Sequence, residues 1–333
     1  MRKFNKVQQA AYELIQEDAR FFYTIVDINQ NAKNISSNYI MMCQPYIGIF
    51  TDGASQWGCK MGLNCPKLSK NEKNYYAYLR KNHKIFETSC EDYEKLLMDS
   101  FDESDSYFYN NRSTLEKVIG YKNVGTDLCM NKFCGNTILC NMYNPMRLLG
   151  NDNVGIKIRD FSVIAGEIAS YYNCTSFPTY MYNNNIKVHF KDYHFFEKCP
   201  LKEKNKQGFI LFSIICSINY VTVFIENYFI DEIPQKLKFA YLLYYYLCDF
   251  INEFNVYNNT NFTIDTTFKN RNFRNCLAHY GLGSFIKEKE IIGSDILKGL
   301  TNKAFNLDYL TTKKEIFNRL NELENEIEKF ILK

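Results

Sequence analysis

Arg271, Arg274, Asn275 and His279 stand within nine residues, in a chain that has only nine arginines and four histidines. Those side-chain types suit chemistry on a phosphodiester. RNA is cut without a metal when its own 2′-hydroxyl attacks the adjacent phosphorus. The step needs a proton taken from the nucleophile or given to the leaving 5′-oxygen, and histidine titrates in the range the task requires. It also needs compensation of the charge that builds on phosphorus, for which a bidentate guanidinium is suited. Asn275, one turn before His279, can orient the ring or the phosphate, and Arg271 adds positive charge for RNA.

A helix must hold these residues. At roughly 100° per residue, Phe273, Cys276, Leu277 and Tyr280 share one apolar face. Arg274, Ala278, Arg271, Asn275 and His279 spread over an arc of about 140° on the other side. That second face carries no acid to neutralise its cations, and Ala278 at its middle admits a close neighbour. Gly281 and Gly283 are the expected stop of the helix. Arg274 and His279 are about 140° apart, so one copy grips a phosphate poorly, whereas two copies across an isologous interface would surround it.

The stretch RNCLAH (274–279) resembles the Arg-x(4–6)-His signature of HEPN-domain ribonucleases, in its Arg-Asn-x-x-x-His form on a late helix of a small all-helical domain. That family includes toxins of toxin–antitoxin pairs, abortive-infection proteins and nuclease domains of CRISPR effectors. The resemblance covers residues 207–333. It implies a metal-independent endoribonuclease acting as a homodimer, without cofactor, with Arg274 and His279 catalytic and Asn275 supporting. Arg271 has no strict counterpart in the family. A setting in antiviral defence or toxicity is implied, with RNA as substrate and an antitoxin or phage-derived trigger governing activity. Some members do not cut, so a non-catalytic RNA- or protein-binding module of the same fold stands as the alternative. A subset carries a tyrosine two residues after the histidine as an adenylylation target; here that position is Gly281, with Tyr280 adjacent.

The rest of the chain must position this helix. At 333 residues it is long enough for two domains. Hydrophobic content of 46% with 16% aromatics excludes a disordered protein, and a net charge of +3 excludes a general polycation. Any nucleic-acid contact must therefore come from a local patch. Glu13, Glu17 and Asp18 interrupt the apolar core a secretion signal needs, so the expected location is cytoplasmic, with twelve cysteines reduced. Residues 207–225 run without charge for nearly the length of a membrane span. Ser213, Ser217, Asn219 and Thr222 within them favour a buried bundle helix over an anchor.

Beyond the charged stretch 200–208, periodicity predicts a helix starting at Pro234 (Leu237, Tyr241, Tyr244, Cys248, Ile251) and a last helix with Ile316, Leu320, Leu323, Ile327 and Ile331 on one stripe. With the apolar helix and the motif helix these make a HEPN-like bundle of four or five helices over 207–333. Residues 1–200 read as a mixed α+β region that senses, restrains or recruits. It has an amphipathic helix at 4–28, a strand where Ile186, Val188 and Phe190 alternate, and loops at TDGASQWG (51–58) and FDESDSYF (101–108). KNEKNYYAYLRKNHK (70–84) reads as a solvated helix with tyrosines inward and His83 at the surface, or else as a single-stranded RNA groove. The Cys59/Cys65 and Cys129/Cys134/Cys140 spacings lack a C-x2-C knuckle and point to buried thiols rather than zinc. The expected class is α+β, predominantly α.

Overall fold

The apolar run forms α9 (Lys206–Tyr228), whose most hydrophobic stretch is 94% buried inside the protein. Its polar residues are satisfied internally. Ser213, Ser217 and Thr222 return their hydroxyls to the carbonyls of Ile210, Ser213 and Ile218 at 2.6, 2.9 and 3.0 Å, and Asn219 donates to Glu324 at 3.3 Å. A π-helical turn at Tyr220–Ile225 interrupts the α-helical ladder. Among the described residues this is the one helix long and apolar enough to cross a membrane.

The computed structural model describes residues 4–32, 35, 37–122, 124–145, 154–172, 179–192 and 199–332; His194 lies outside them. Against α9 pack α10 (Pro234–Asn258) and α13 (Tyr309–Leu332); α11 (Arg271–His279) packs on α10, and α12 (Leu300–Phe305) lies between α11 and α13. Proline at its start sets α10, and Asn259 ends it in the left-handed region at φ 53°. The α13 stripe is wholly buried as the periodicity requires.

The preceding chain contributes α1 (Lys6–Asn31), α2 (Ser37–Met42), α3 (Gln44–Met61), α4 (Lys70–Lys81), a 3-10 turn (Asn82–Glu87), α5 (Cys90–Asn111), α6 (Thr114–Val118), α7 (Thr137–Tyr143) and α8 (Val154–Tyr172). Three short antiparallel strands, β1 (Thr126–Cys129), β2 (Lys132–Asn136) and β3 (Val188–Lys191), make a sheet in the order β2-β1-β3. Met130 and Asn131 turn the β1–β2 hairpin, both with positive φ (51° and 66°). The chain is α+β and predominantly α.

Two expected loops are helices. FDESDSYF lies inside α5, where Ser89 caps the start, Glu91 and Asp92 sit in the first turn, and Phe101 and Ser104 face inward beneath an acidic outer side. TDGASQWG lies inside α3. Its glycines serve close packing rather than a turn: a Cβ on Gly58 would meet Cys65 Sγ at 2.3 Å, and one on Gly53 would be 3.1 Å from the Tyr280 ring.

Residues on both sides of 200–207 share one continuous core. Tyr46 of α3 stacks on Phe239 of α10 with ring centroids 3.7 Å apart. Phe21 of α1 meets the same Phe239 edge-on at 5.2 Å, and Phe133 of β2 meets Phe212 of α9 at 5.0 Å.

Candidate functional site

Helix α11 begins where Asn270 caps it, its side chain accepting from Phe273 N at 3.0 Å. Tyr241 of α10 fixes the same corner: its hydroxyl accepts from Asn270 N at 2.8 Å and donates to the Phe268 carbonyl at 2.9 Å. Phe273, Cys276 and Leu277 are buried, as the wheel requires. Phe273 meets the Tyr241 ring edge-on at 4.5 Å.

The helix does not stop on glycine. Tyr280 takes the left-handed position at φ 53°, a strain of about 1 kcal/mol for a residue with a Cβ. Its surroundings explain why it stays there. The ring is 2% exposed, its hydroxyl donates to Asp18, and the Lys238 ammonium sits 4.6 Å from the ring centroid. Asp18 also accepts from Lys238, and from Gln235 at 2.9 Å. This buried network ties α1 and α10 to the residue immediately after His279.

His279 is exposed, at the edge of a cleft of about 640 Å³ between α1, α3 and the loop 281–288. Its nearest charged neighbour comes from α4. The Arg80 guanidinium contacts His279 Nδ1, donates to the Ala278 carbonyl at 3.0 Å and pairs with Asp52 Oδ2 at 2.5 Å. A guanidinium only donates, so Nδ1 is the acceptor and a neutral ring carries its proton on Nε2. The Nδ1 edge, turned against this buried arginine, loses solvation. That loss is the largest cause pushing the His279 pKa down to about 4, followed by the charges of Arg80, Arg274, Lys84 and Lys60.

Glycines in α3 make this meeting possible. A Cβ on Gly48 would lie 2.2 Å from Arg80 N, so α3 and α4 touch backbone to backbone there. A Cβ on Gly53 would lie 3.1 Å from the Tyr280 ring and 3.8 Å from the Ala278 carbonyl. Small residues on both helices, Gly53 and Ala278, therefore let α11 close on α3.

Of the residues singled out in the motif, Arg271 is exposed and Asn275 half-buried. Arg274 departs from the open face assigned by the wheel. It is 8% exposed, with its guanidinium 5.0 Å from the Tyr245 ring and 5.6 Å from the Tyr246 ring, and its Nε has no hydrogen-bond partner among the described residues. Two tyrosines of α10 cover that side of α11, a neighbour that a wheel of one helix does not contain. His83 also departs from its expected surface position. It is buried, its Nδ1 bonds the Arg80 carbonyl, and burial pushes its pKa down to about 3.

Arg80 and Asp52 were not singled out by the sequence. The available signal was Tyr76 and Arg80 four residues apart, hence on one face of the basic helix whose tyrosines read as inward. Among the described residues, no group of three or more His, Cys, Asp or Glu side chains could hold a metal. Comparison with protein-family models, with curated proteins and with solved structures finds no match to this chain.

Proposed function

We propose that the chain is a HEPN-type, metal-independent endoribonuclease that cleaves RNA by attack of the 2′-hydroxyl on the neighbouring phosphorus. The observation that carries this reading is the charge around His279. Arg80 and Lys84, Lys60 and Arg274 press on one exposed imidazole at the edge of a cleft, and a polyanion is what such a field attracts. His279 is the acid–base group, Arg274 a fixed positive charge behind the phosphate, Asn275 an orienting group, and Arg271 an outer contact for the strand. A defence or toxin role in the cytoplasm, a second copy of the chain as partner, and control by an antitoxin or phage-derived trigger belong to the same proposal. So does a sensing or restraining role for residues 1–200.

One observation favours a second reading, a module of this fold that binds RNA or protein without cutting. With Nδ1 engaged by Arg80 and the ring kept neutral, His279 has no free lone pair to serve as a base.

The test is cleavage of a labelled mixed-sequence RNA in excess EDTA by wild type, Arg274→Ala and His279→Ala, with binding followed by fluorescence anisotropy. Cleavage by wild type that leaves 2′,3′-cyclic phosphate ends, and is lost in His279→Ala, supports the nuclease. Equal binding by all three without cleavage supports the binding module. The absence of both binding and cleavage refutes RNA as the ligand.

A further inference from the structure

We propose that Arg80 is a phosphate ligand of the His279 site, supplied by α4 of the same chain, and that before phosphate arrives it holds His279 in the phosphate's place. The inference rests on the reading of His279 as the reactive imidazole and deepens it by naming how the site is regulated.

The contact between Arg80 and His279 is of a kind that an anion can break. Arg80 is 9% exposed and spends its guanidinium on Asp52, the Ala278 carbonyl and the imidazole nitrogen. The first two partners are oxygens that suit a guanidinium; the third is a neutral ring that accepts only while Nδ1 is unprotonated. A phosphate oxygen is the stronger acceptor for that same N–H, because the bond is charge-assisted and can be bidentate. The cleft gives it a way in. Arg80, His279, Lys60 and Lys287 all line it, with Gly281 and Gly283 presenting backbone without side chains and Glu288 as a carboxylate at the rim.

Exchange of the ring for phosphate changes the proton on His279. The groups that bear on the imidazole are Arg80, paired with Asp52, and Lys84 from α4 and the turn after it; Lys60 from α3; Arg274 from its own helix; and, through the cleft, Lys287 and Glu288. His83 lies behind Arg80 and feels His279 in turn. Most of these are cations, and each disfavours a second proton on the ring. A bound phosphate offsets their charge and frees Nδ1, so the ring takes a proton from solvent. The protonated ring can then donate to a leaving oxygen. Ligand arrival thus converts an idle imidazole into an acid. A second cation beside His279 is present within one chain, where the motif alone required a partner copy to provide it.

The experiment follows His279 by NMR in the full chain, labelled with 15N-histidine, over pH 4–8 at constant ionic strength. The probes are inorganic phosphate, with chloride as control, and a 2′-O-methyl tetranucleotide that cannot be cut. The expected result is a rise of one pH unit or more in the His279 midpoint on saturation with phosphate. In Arg80→Gln the midpoint of the free protein should already be higher, the phosphate-induced shift should disappear, and phosphate affinity should fall about tenfold. Phosphate that binds without moving His279, binds equally well to Arg80→Gln, or does not bind overturns the inference. The wild-type titration decides it even where Arg80→Gln fails to fold. Tighter binding of the tetranucleotide than of inorganic phosphate, with the same shift, makes a nucleic-acid strand the ligand. The reverse order keeps the anion site and makes the ligand a small phosphate. An Arg80-dependent shift without RNA cleavage leaves this inference standing and removes the nuclease. RNA cleavage that needs His279 but is indifferent to Arg80→Lys and shows no shift removes this inference alone.

Discussion

Replacing Gly48 with alanine should destabilise the protein, although alanine is the better helix former. The added Cβ would stand 2.2 Å from Arg80 N and 2.5 Å from Leu79 C, both backbone atoms that cannot swing aside. Ordinary contact would require α3 and α4 to separate by about 1 Å, and forced repacking of this kind costs roughly 3 kcal/mol at its upper end. Helix propensity returns about 1 kcal/mol, leaving a net loss of about 2 kcal/mol. For 333 residues, 1 kcal/mol moves Tm by roughly 1.4 °C, so Tm should fall by about 3 °C. Gly166 is the control, since it lies within α8 and a Cβ there meets nothing within 4 Å. Gly166→Ala should therefore raise Tm by about 1 °C. Gly48→Ala also loosens Arg80 from His279, so the His279 pKa should rise from about 4 toward its ordinary value. Differential scanning fluorimetry of both variants tests the first claim and NMR titration the second. A Gly48→Ala protein as stable as wild type would show that α3 and α4 do not touch at this point.

His83 is neutral in the fold and protonates once unfolded, so its contribution is complete above about pH 6.5 and is lost as pH falls toward 3. Urea midpoints should drop by the equivalent of roughly 3 kcal/mol between pH 6.5 and 4, and His83→Phe should flatten that slope. Asp18→Asn leaves the Lys238 ammonium buried without its carboxylate and should cost about 3–5 kcal/mol in a urea titration, of which Asp18→Asn/Lys238→Met should recover more than half. Met130 is 60% exposed and holds a positive φ in the hairpin turn, so Met130→Gly should raise Tm by about 1 °C.

The parts of the fold legible in the sequence include the long apolar run of α9 and the elements where one face meets solvent. Helix α13 has that contrast, with a buried stripe of Ile316, Leu320, Leu323, Ile327 and Ile331 among charges, and so does β3, with Val188 and Phe190 alternating with exposed His189 and Lys191. Helix α3 was not legible because three glycines within it look like loop punctuation until the atoms packed against them are known. At the site, the helix, its apolar face and the smallness of Ala278 were legible from local spacing. The partner of His279 was not, because Arg80 lies 199 residues away and its pairing depends on the approach of α3 to α4 and α11. Tyr280 in place of a capping glycine has the same origin, since Asp18 and Lys238 hold it from distant parts of the chain.

The shared core has a consequence for the order in which the protein is made. Arg80, Asp52 and the wall formed by α1 leave the ribosome long before His279, and α13, which packs on α9 and α10, leaves after it. Contacts of such large sequence separation form late in folding. The imidazole therefore meets Arg80 only after the chain has been synthesised through His279. From its first appearance His279 can enter its native setting only beside an arginine synthesised well before it, so the contact between ring and guanidinium is set by residues on both sides of the shared core.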